Sequence, residues 1–192
     1  MEKVKILTVG AGAVGAYFTG RLAQAGAEVS VVVRSDYDAV KANGFEIISE
    51  LGNFHFQPHG VYRSADEYPD TADYVFLTSK FFPETDEAAM LRGALKNSRT
   101  VLVLIQNGIG IEDQLAEAFP ETEILSSIAY IGATRLKPGV VRQKGASELK
   151  FGRFGGGASE AGRRLEKLFA ETDGDKASFG ENIAWVRWNK LL

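Results

Sequence analysis

The stretch KILTVGAGAVG, residues 5–15, decides the fold of this chain. An apolar, β-rich run leads directly into Gly10, Gly12 and Gly15, which stand in G-x-G-x-x-G spacing. Beyond the glycines, apolar side chains recur at every fourth position up to Gly26, which predicts a helix that ends there. A strand, a glycine turn and a helix in immediate succession predict a nucleotide-binding β-α unit.

Each of the three glycines has its own expected role. Gly10 allows the tight turn, Gly12 lets the main chain approach a pyrophosphate, and Gly15 lets the helix pack closely on the strand. The phosphates would lie at the positive end of the helix dipole, among amides without a partner inside the helix. The alternative is a glycine turn that binds nothing. The predicted dinucleotide contacts in this turn are Gly10, Ala11, Gly12, Ala13, Val14 and Gly15.

The second predicted strand ends in a cation. Residues 29–33 form an almost continuous apolar run, typical of a strand buried on both faces, and Arg34 and Ser35 follow it. An NAD site would place an acid at this strand end to bind the ribose 2′-hydroxyl, whereas an arginine favours a 2′-phosphate. We therefore expect NADPH/NADP+ as the cofactor, with Arg34 as a ligand; the alternative for Arg34 is a solvated surface cation. Asp36 is interpreted as the N-cap of the next helix.

Composition and charge exclude several classes of partner. The 192 residues carry a net charge of −3 with dispersed cations, so no basic patch indicates binding to nucleic acid or to an anionic membrane. No apolar stretch approaches the roughly 18–20 residues that span a bilayer, and the first strand begins too early for a signal peptide. The absence of cysteine excludes disulfides and thiolate-bound zinc and agrees with a reducing compartment. We expect a cytoplasmic protein with no metal among its site residues.

Apolar runs alternate with helical patterns along most of the chain. Further strands are predicted at 74–77, 101–105 and 124–131, and helices at 83–95, 110–119 and 159–172. This alternation predicts an α/β fold with a doubly wound, Rossmann-type and mainly parallel sheet, covered by helices on both faces. Residues 45–58 are predicted to form one hairpin, and residues 133–151 an antiparallel hairpin appended to the sheet edge.

The last residues indicate the start of a second unit. Residues 181–192 show a helical pattern with apolar side chains on several faces, including Trp185 and Trp188, as in a helix buried between neighbours. The pattern stops without a capping signal. We therefore expect a dinucleotide-binding domain over residues 1–180, followed at 181–192 by the first turns of a helix that leads into a C-terminal helical domain absent from this sequence.

Three polar residues interrupt apolar surroundings where a doubly wound fold binds its ligands. Lys80 and Asn107 follow predicted strands, and Lys190 lies within the apolar terminal helix. Burial would lower the pKa of a lysine toward neutrality, where its ammonium can act as a general acid. The alternatives are a surface cation for Lys80, an ordinary Asn-Gly turn for Asn107, and a snorkelling lysine for Lys190.

Four segments together resemble one known enzyme family. They are VGAGAVGAYFTGRLAQAGAEVSVVVR at 9–34, LTSK at 77–80, IQNGIG at 105–110 and WNKLL at 188–192. All four are similar to segments of the ketopantoate reductases, also called 2-dehydropantoate 2-reductases. WNKLL is the most specific, because it resembles the family's tryptophan, variable residue, lysine, leucine motif.

The resemblance implies a role for each polar residue. Arg34 would face the NADPH 2′-phosphate, Lys80 would be a cofactor-side lysine, and Asn107 would contact both cofactor and substrate. Glu112 corresponds to an acidic residue that we interpret as a contact of the cofactor ribose. Lys190 would protonate the keto oxygen, so that Lys190 and Asn107 are the expected catalytic residues. The implied reaction is the NADPH-dependent reduction of 2-dehydropantoate, a small 2-oxoacid, to (R)-pantoate.

Two other functions stay open. One is a paralogous NADP-dependent reductase of another 2-oxoacid or 2-oxoester, because substrate choice depends on the absent domain. The other is a non-catalytic dinucleotide-sensing module. Lys80, Asn107 and Lys190 together argue against a sensor, which needs only the glycines and Arg34. We expect this chain alone to be inactive, and a homodimer formed mainly through the absent domain is left open.

Overall fold

The chain folds as the predicted α/β domain. The computed structural model describes residues 3–80, 82, 84–108, 110–172, 174 and 176–191, and of Lys190 and Leu191 it describes the backbone alone. The strands are β1 (Lys5–Val9), β2 (Glu28–Val32), β3 (Phe45–Ser49), β4 (Phe54–Phe56), β5 (Val61–Tyr62), β6 (Tyr74–Leu77), β7 (Val101–Leu104), β8 (Ile124–Lys137), β9 (Val140–Arg153) and β10 (Lys176–Phe179). The helices are α1 (Ala13–Gln24), α2 (Tyr37–Asn43), α3 (Glu87–Leu91), α4 (Ile111–Ala118), α5 (Glu160–Ala170) and α6 (Ile183–Leu191), with a 3-10 turn over Ala65–Glu67.

The sheet is doubly wound around β1. In the described part of the chain, the strand order is β4-β3-β9-β8-β7-β6-β1-β2-β5, and β10 pairs with β9. Every pair from β8 to β5 is parallel. The chain leaves β1 toward β2 on one side and later returns to β6 on the other, so β1 lies at the switch point where open α/β sheets bind ligands. The predicted Rossmann-type sheet is confirmed.

Two apolar layers cover the two faces of the sheet. Successive strand residues point to opposite faces, so Ile6 belongs to one layer and Leu7 to the other. The first layer packs against α1 and α5 through Phe18 and Leu165, and the second against α3 and α4. Both layers are fully buried at their centres, which explains the continuous apolar runs of the parallel strands. No helix within the described ranges is both long and apolar enough to cross a membrane.

The antiparallel hairpin has a different place from the predicted one. β8 and β9 pair antiparallel as expected, but β9 does not end the sheet. The first part of β9 pairs in parallel with β3, and its second part pairs in parallel with β10. The predicted place at the sheet edge is therefore wrong, because the β3-β4 hairpin adds to the outer side of β9.

Two local predictions also differ from the structure. The helix predicted at 83–95 is only α3, which starts after Asp86 because the Asp86 carboxylate caps the Ala89 amide at 2.8 Å. It ends before Gly93, which lies so close to the Asp66 backbone that a Cβ would come within 2.5 Å. Pro83 lies outside the described residues. Strand β10 was not predicted, because its short sequence KASF buries only Phe179.

Candidate functional site

The candidate functional site lies where four parallel strands end side by side. Val9 pairs with Val32 on one side and Leu77 on the other, and Leu77 pairs with Leu104. The segments that follow these residues therefore lie next to one another at the carboxyl edge of the sheet. They contain the glycine turn, Arg34, Lys80 and Asn107, so the fold places these predicted residues along one edge.

The three glycines of the turn differ in how much space surrounds them. Gly10 has φ +77°, and a Cβ there would lie 2.7 Å from the Ser79 side chain. At Gly15 a Cβ would come within 3.2 Å of Thr8, and it would overlap the Thr78 hydroxyl. At Gly12 the nearest heavy atom would be the Gly10 carbonyl oxygen at 3.8 Å, an ordinary contact. The fold therefore requires glycine at the first and third positions, whereas Gly12 faces space that a ligand can use.

Helix α1 offers unpaired amides to that space. Gly12 is its N-cap and has no side chain that could form a capping hydrogen bond. The first intrahelical bond joins the Ala16 amide to the Gly12 carbonyl oxygen at 2.9 Å. The amides of Ala13, Val14 and Gly15 therefore have no partner within the helix and carry the positive end of its dipole. This arrangement suits a pyrophosphate.

A cavity of about 250 Å³ joins the glycine turn to the end of β2. Arg34 and Lys80, both exposed, supply cations to its wall. The Arg34 guanidinium lies 3.7 Å from the Met90 sulfur atom. The lining residues are Gly10, Ala11, Gly12, Val32, Val33, Arg34, Ser35, Asp36, Ser79, Lys80, Phe82, Thr85, Met90 and Arg135. Five of the predicted cofactor contacts therefore meet at one cavity: Gly10, Ala11, Gly12, Arg34 and Lys80.

Asp36 stands at the predicted N-cap position of α2, but its carboxylate binds elsewhere. It precedes α2, but its side chain makes no capping hydrogen bond. Its carboxylate instead accepts hydrogen bonds from Arg135 Nε at 2.9 Å, from the Gly139 amide at 3.1 Å and from the Ser35 hydroxyl at 2.8 Å. The bonds from Arg135 lower the pKa of Asp36, although burial opposes this shift. Asp36 is thus the N-cap residue of α2 as predicted, while its carboxylate is held by a distant arginine that the sequence did not indicate.

The loop that follows β7 and carries Asn107 is bonded to the cavity wall. Asn107 is exposed and does not line the cavity itself, but the preceding Gln106 donates a hydrogen bond from Nε2 to the Ser79 carbonyl oxygen at 2.8 Å. The same Nε2 donates to Glu87 Oε1 at 2.5 Å. Glu87 is 6% exposed, and burial raises the pKa of its carboxyl group. Gln106 therefore fixes the start of the Asn107 loop against the cavity wall.

Glu112 lies away from the cofactor cavity. Its side chain is buried, and its carboxylate accepts hydrogen bonds from the Ser126 hydroxyl at 2.7 Å and from Arg187. It borders a second cavity of about 340 Å³ between α4 and α6. Its predicted role as a ribose contact remains a prediction, and the observed contacts give it a structural role in joining α4 to α6.

Arg187 connects the terminal helix to the asparagine loop. Its buried guanidinium donates hydrogen bonds to the Glu112 carboxylate, the Ser126 hydroxyl and the Gly108 carbonyl oxygen. Lys190 follows three residues later in α6; its side chain lies outside the described part of the chain. The structure thus attaches the helix that carries Lys190 to the loop that carries Asn107.

Sequence reasoning missed Arg135, Gln106 and Arg187. Arg135 reaches Asp36 across 99 positions, and Arg187 reaches Glu112 across 75. No local pattern reports such contacts. Gln106 could have been noticed as a polar residue directly before the Asn-Gly pair. Arg187 could have been noticed as an arginine inside an apolar helix, where a buried charge needs a partner. Among the described residues, no group of three or more His, Cys, Asp or Glu is placed to hold a metal ion.

Comparison with known families decides the classification. The family model described as "Ketopantoate reductase PanE/ApbA" matches residues 6–156. The chain belongs to this family. Among the curated ketopantoate reductases, the 2-dehydropantoate 2-reductase of Nostoc is 27% identical over all of this chain and 61% of its own length. The chain spans about 60% of the length of the relatives that it matches.

Solved structures of a ketopantoate reductase and of a further dehydrogenase have the same fold. The 2-dehydropantoate 2-reductase of Methylococcus capsulatus is 42% identical, with a TM-score of 0.89 over 97% of this chain and 60% of that one. A ternary complex of D-mandelate dehydrogenase with NADH and anilino(oxo)acetate has a TM-score of 0.83 and 25% identity, over 97% of this chain and 60% of that one. The family to which the chain belongs is thus one of oxidoreductases.

Proposed function

We propose that this chain is the NADPH-binding part of a reductase that converts 2-dehydropantoate to (R)-pantoate. The observation that carries the proposal is the cavity at the carboxyl ends of β1 and β2, which combines the glycine turn with Arg34 and Lys80. Space at Gly12 and free amides at the start of α1 fit a pyrophosphate. Membership of the ketopantoate reductase family supports the reaction class.

Arg34 supports NADPH as the cofactor in preference to NADH. Its exposed guanidinium stands at the cavity wall just beyond β2, where dinucleotide folds bind the adenosine ribose. A guanidinium can bind a phosphate through two parallel hydrogen bonds. Such charge-assisted bonds contribute about 1.5–3 kcal/mol. This corresponds to a preference of roughly 10- to 150-fold for NADPH.

Asn107 and Lys190 are the proposed catalytic residues. When bound, NADPH supplies the hydride that reduces the C2 carbonyl of the substrate. Asn107 would hold the carbonyl in line with the cofactor, and the Lys190 ammonium would donate its proton to the carbonyl oxygen as negative charge develops there. Correct positioning alone can lower such a barrier by about 7–11 kcal/mol. The contact between Arg187 and the Gly108 carbonyl supports a joint role, because it fixes α6 against the Asn107 loop.

A second candidate is the reduction of a different 2-oxoacid. The similarity to D-mandelate dehydrogenase favours this candidate, since that protein was solved with NADH and anilino(oxo)acetate.

In the proposed architecture, residues 1–180 bind the cofactor, and the helix from residue 181 leads to a second domain that contributes to substrate choice and to any homodimer.

A substrate panel tests the proposed function. NADPH absorbance is followed with a protein that continues beyond residue 192 to the full length of the relatives, supplied in turn with 2-dehydropantoate, benzoylformate and 2-oxoisovalerate. We expect 2-dehydropantoate to give the highest kcat/KM. A higher kcat/KM with benzoylformate would favour the second candidate. NADPH binding without turnover of any 2-oxoacid would favour a sensor and contradict the proposal.

A further inference from the structure

The cofactor cavity contains an acid beside its arginine. Asp36 follows Arg34 by two residues, and both line the cavity. A carboxylate just beyond the second strand is the group with which NAD sites bind the ribose 2′-hydroxyl, and it would repel a 2′-phosphate. Arg34 and Asp36 therefore favour opposite cofactors, and the structure must contain a feature that decides between them.

Arg135 is that feature. It approaches from the β8 side of the long hairpin and binds the Asp36 carboxylate through Nε, at 3.0 Å and 2.9 Å from the two oxygens, and through Nη2 at 2.6 Å. The Gly139 amide binds Oδ2 at 3.1 Å, and the Ser35 hydroxyl binds Oδ1 at 2.8 Å. Both carboxylate oxygens thus already accept hydrogen bonds from this chain. Asp36 is 7% exposed, so little of it is available to a ribose.

The charge of Asp36 is also compensated where a phosphate would lie. The Arg135 side chain is 43% exposed and lines the same cavity as Arg34 and Lys80. The buried acid and Arg135 together are neutral, which leaves Arg34 and Lys80 on the cavity wall as cations that form no ion pair within the described residues. We propose that Arg135 determines cofactor specificity by holding the Asp36 carboxylate, so that a site with an acid after its second strand accepts a 2′-phosphate. This inference rests on the proposed binding of NADPH.

Calorimetric titration of NADPH and NADH into this chain tests the inference. Arg135→Met removes the partner of Asp36 at similar volume, and we expect the preference for NADPH over NADH to fall by roughly tenfold or more. Arg142→Met removes an exposed arginine from the same hairpin that does not line the cavity, and it should leave the preference unchanged. Asp36→Asn should also keep the preference, because no acid remains to repel the phosphate.

The double variant Asp36→Asn/Arg135→Met separates sequestration of Asp36 from a direct contact between Arg135 and the phosphate. We expect it to recover most of the NADPH preference that Arg135→Met loses; continued loss would show that Arg135 binds the phosphate directly and would overturn the inference. If Arg135→Met fails to fold, the same comparison is made with Arg135→Gln, which also removes the charge that compensates Asp36 and keeps a polar side chain of similar length. A parent chain that prefers NADPH, with an Arg135 variant of equal preference, overturns this inference alone. A parent that binds neither cofactor overturns the proposed function.

Discussion

Replacement of Glu112 by glutamine tests the connection between α4 and α6. The Glu112 and Arg187 side chains are only 6% and 10% exposed, so Glu112→Gln leaves a guanidinium buried without its counter-ion. Loss of one partner from a buried pair costs about 3–5 kcal/mol. Arg187 keeps its bonds to Ser126 and the Gly108 carbonyl oxygen, which places the expected loss at the lower end, about 3 kcal/mol.

Urea unfolding measures this loss. With a slope of about 1–3 kcal/mol per molar urea, the midpoint should fall by roughly 1–3 M while the slope stays constant. Asp113→Asn is the matched control, because Asp113 is exposed in the same first helical turn and its charge interacts with the same helix dipole. The control should lose less than about 1 kcal/mol. A Glu112→Gln chain within about 0.5 kcal/mol of the parent would refute the assignment of a stabilising buried pair.

A double-mutant cycle separates the pair from its surroundings. Glu112→Met and Arg187→Met each leave one buried charge, whereas the double variant replaces both charges with apolar side chains. We expect the double variant to be less destabilised than the sum of the single variants, because well-packed apolar replacements of buried pairs are often tolerated. Strictly additive losses would contradict an interaction between the two side chains.

Three further predictions concern the cofactor site and the reaction. Gly12→Val should abolish NADPH binding in calorimetry, because its side chain would fill the space proposed for the pyrophosphate. Its thermal midpoint should stay unchanged, because a Cβ at Gly12 meets no atom closer than 3.8 Å. Gly15→Val should instead lower the midpoint, because a Cβ there overlaps the Thr78 hydroxyl. The pKa of Asp36 is lowered in the folded chain, so its contribution to stability is present above its unfolded pKa of about 3.9 and is lost as the pH falls through the folded value. The parent should therefore have a higher urea midpoint than Asp36→Asn at pH 6, and this difference should shrink at pH 3. Lys190→Ala in a protein that continues to the full length of the relatives should lose most of its reductase activity and keep its NADPH affinity, and residues 1–192 alone should bind NADPH without turnover.

Local sequence was sufficient to predict the first β-α-β unit. The glycine spacing marks the turn between β1 and α1, although the atoms that exclude a Cβ at Gly10 and Gly15 belong mainly to the distant Ser79 and Thr78. Arg34 lies just beyond the end of β2, where the apolar run of that strand stops. The same reasoning gave the N-cap position of Asp36 but not the partner of its carboxylate, because the bond to Arg135 depends on the register of a hairpin almost a hundred positions away. The sequence suggested only a capping role for the Asp36 carboxylate, whereas in the structure charge-assisted hydrogen bonds from Arg135 hold it.

Long-range pairing also explains the other differences. The residues of the β8-β9 hairpin do not reveal that β9 lies inside the sheet, because its pairing with β3 and β10 depends on segments distant in sequence. Glu112 showed only an acid at the start of a helix, and its burial depends on Arg187 arriving from α6. Sequence therefore predicted which residues would stand at the carboxyl edge of the sheet, but not which of them already have partners within the chain.

We propose that the Arg34 guanidinium binds the 2′-phosphate of NADPH. Calorimetric titration of NADPH and NADH into the parent chain and into Arg34→Ala tests it most directly. We expect the parent to prefer NADPH by roughly 10- to 150-fold, and Arg34→Ala to lose this preference mainly through weaker NADPH binding, with NADH affinity little changed. Equal affinity of the parent for both cofactors, or an unchanged preference in Arg34→Ala, would contradict it.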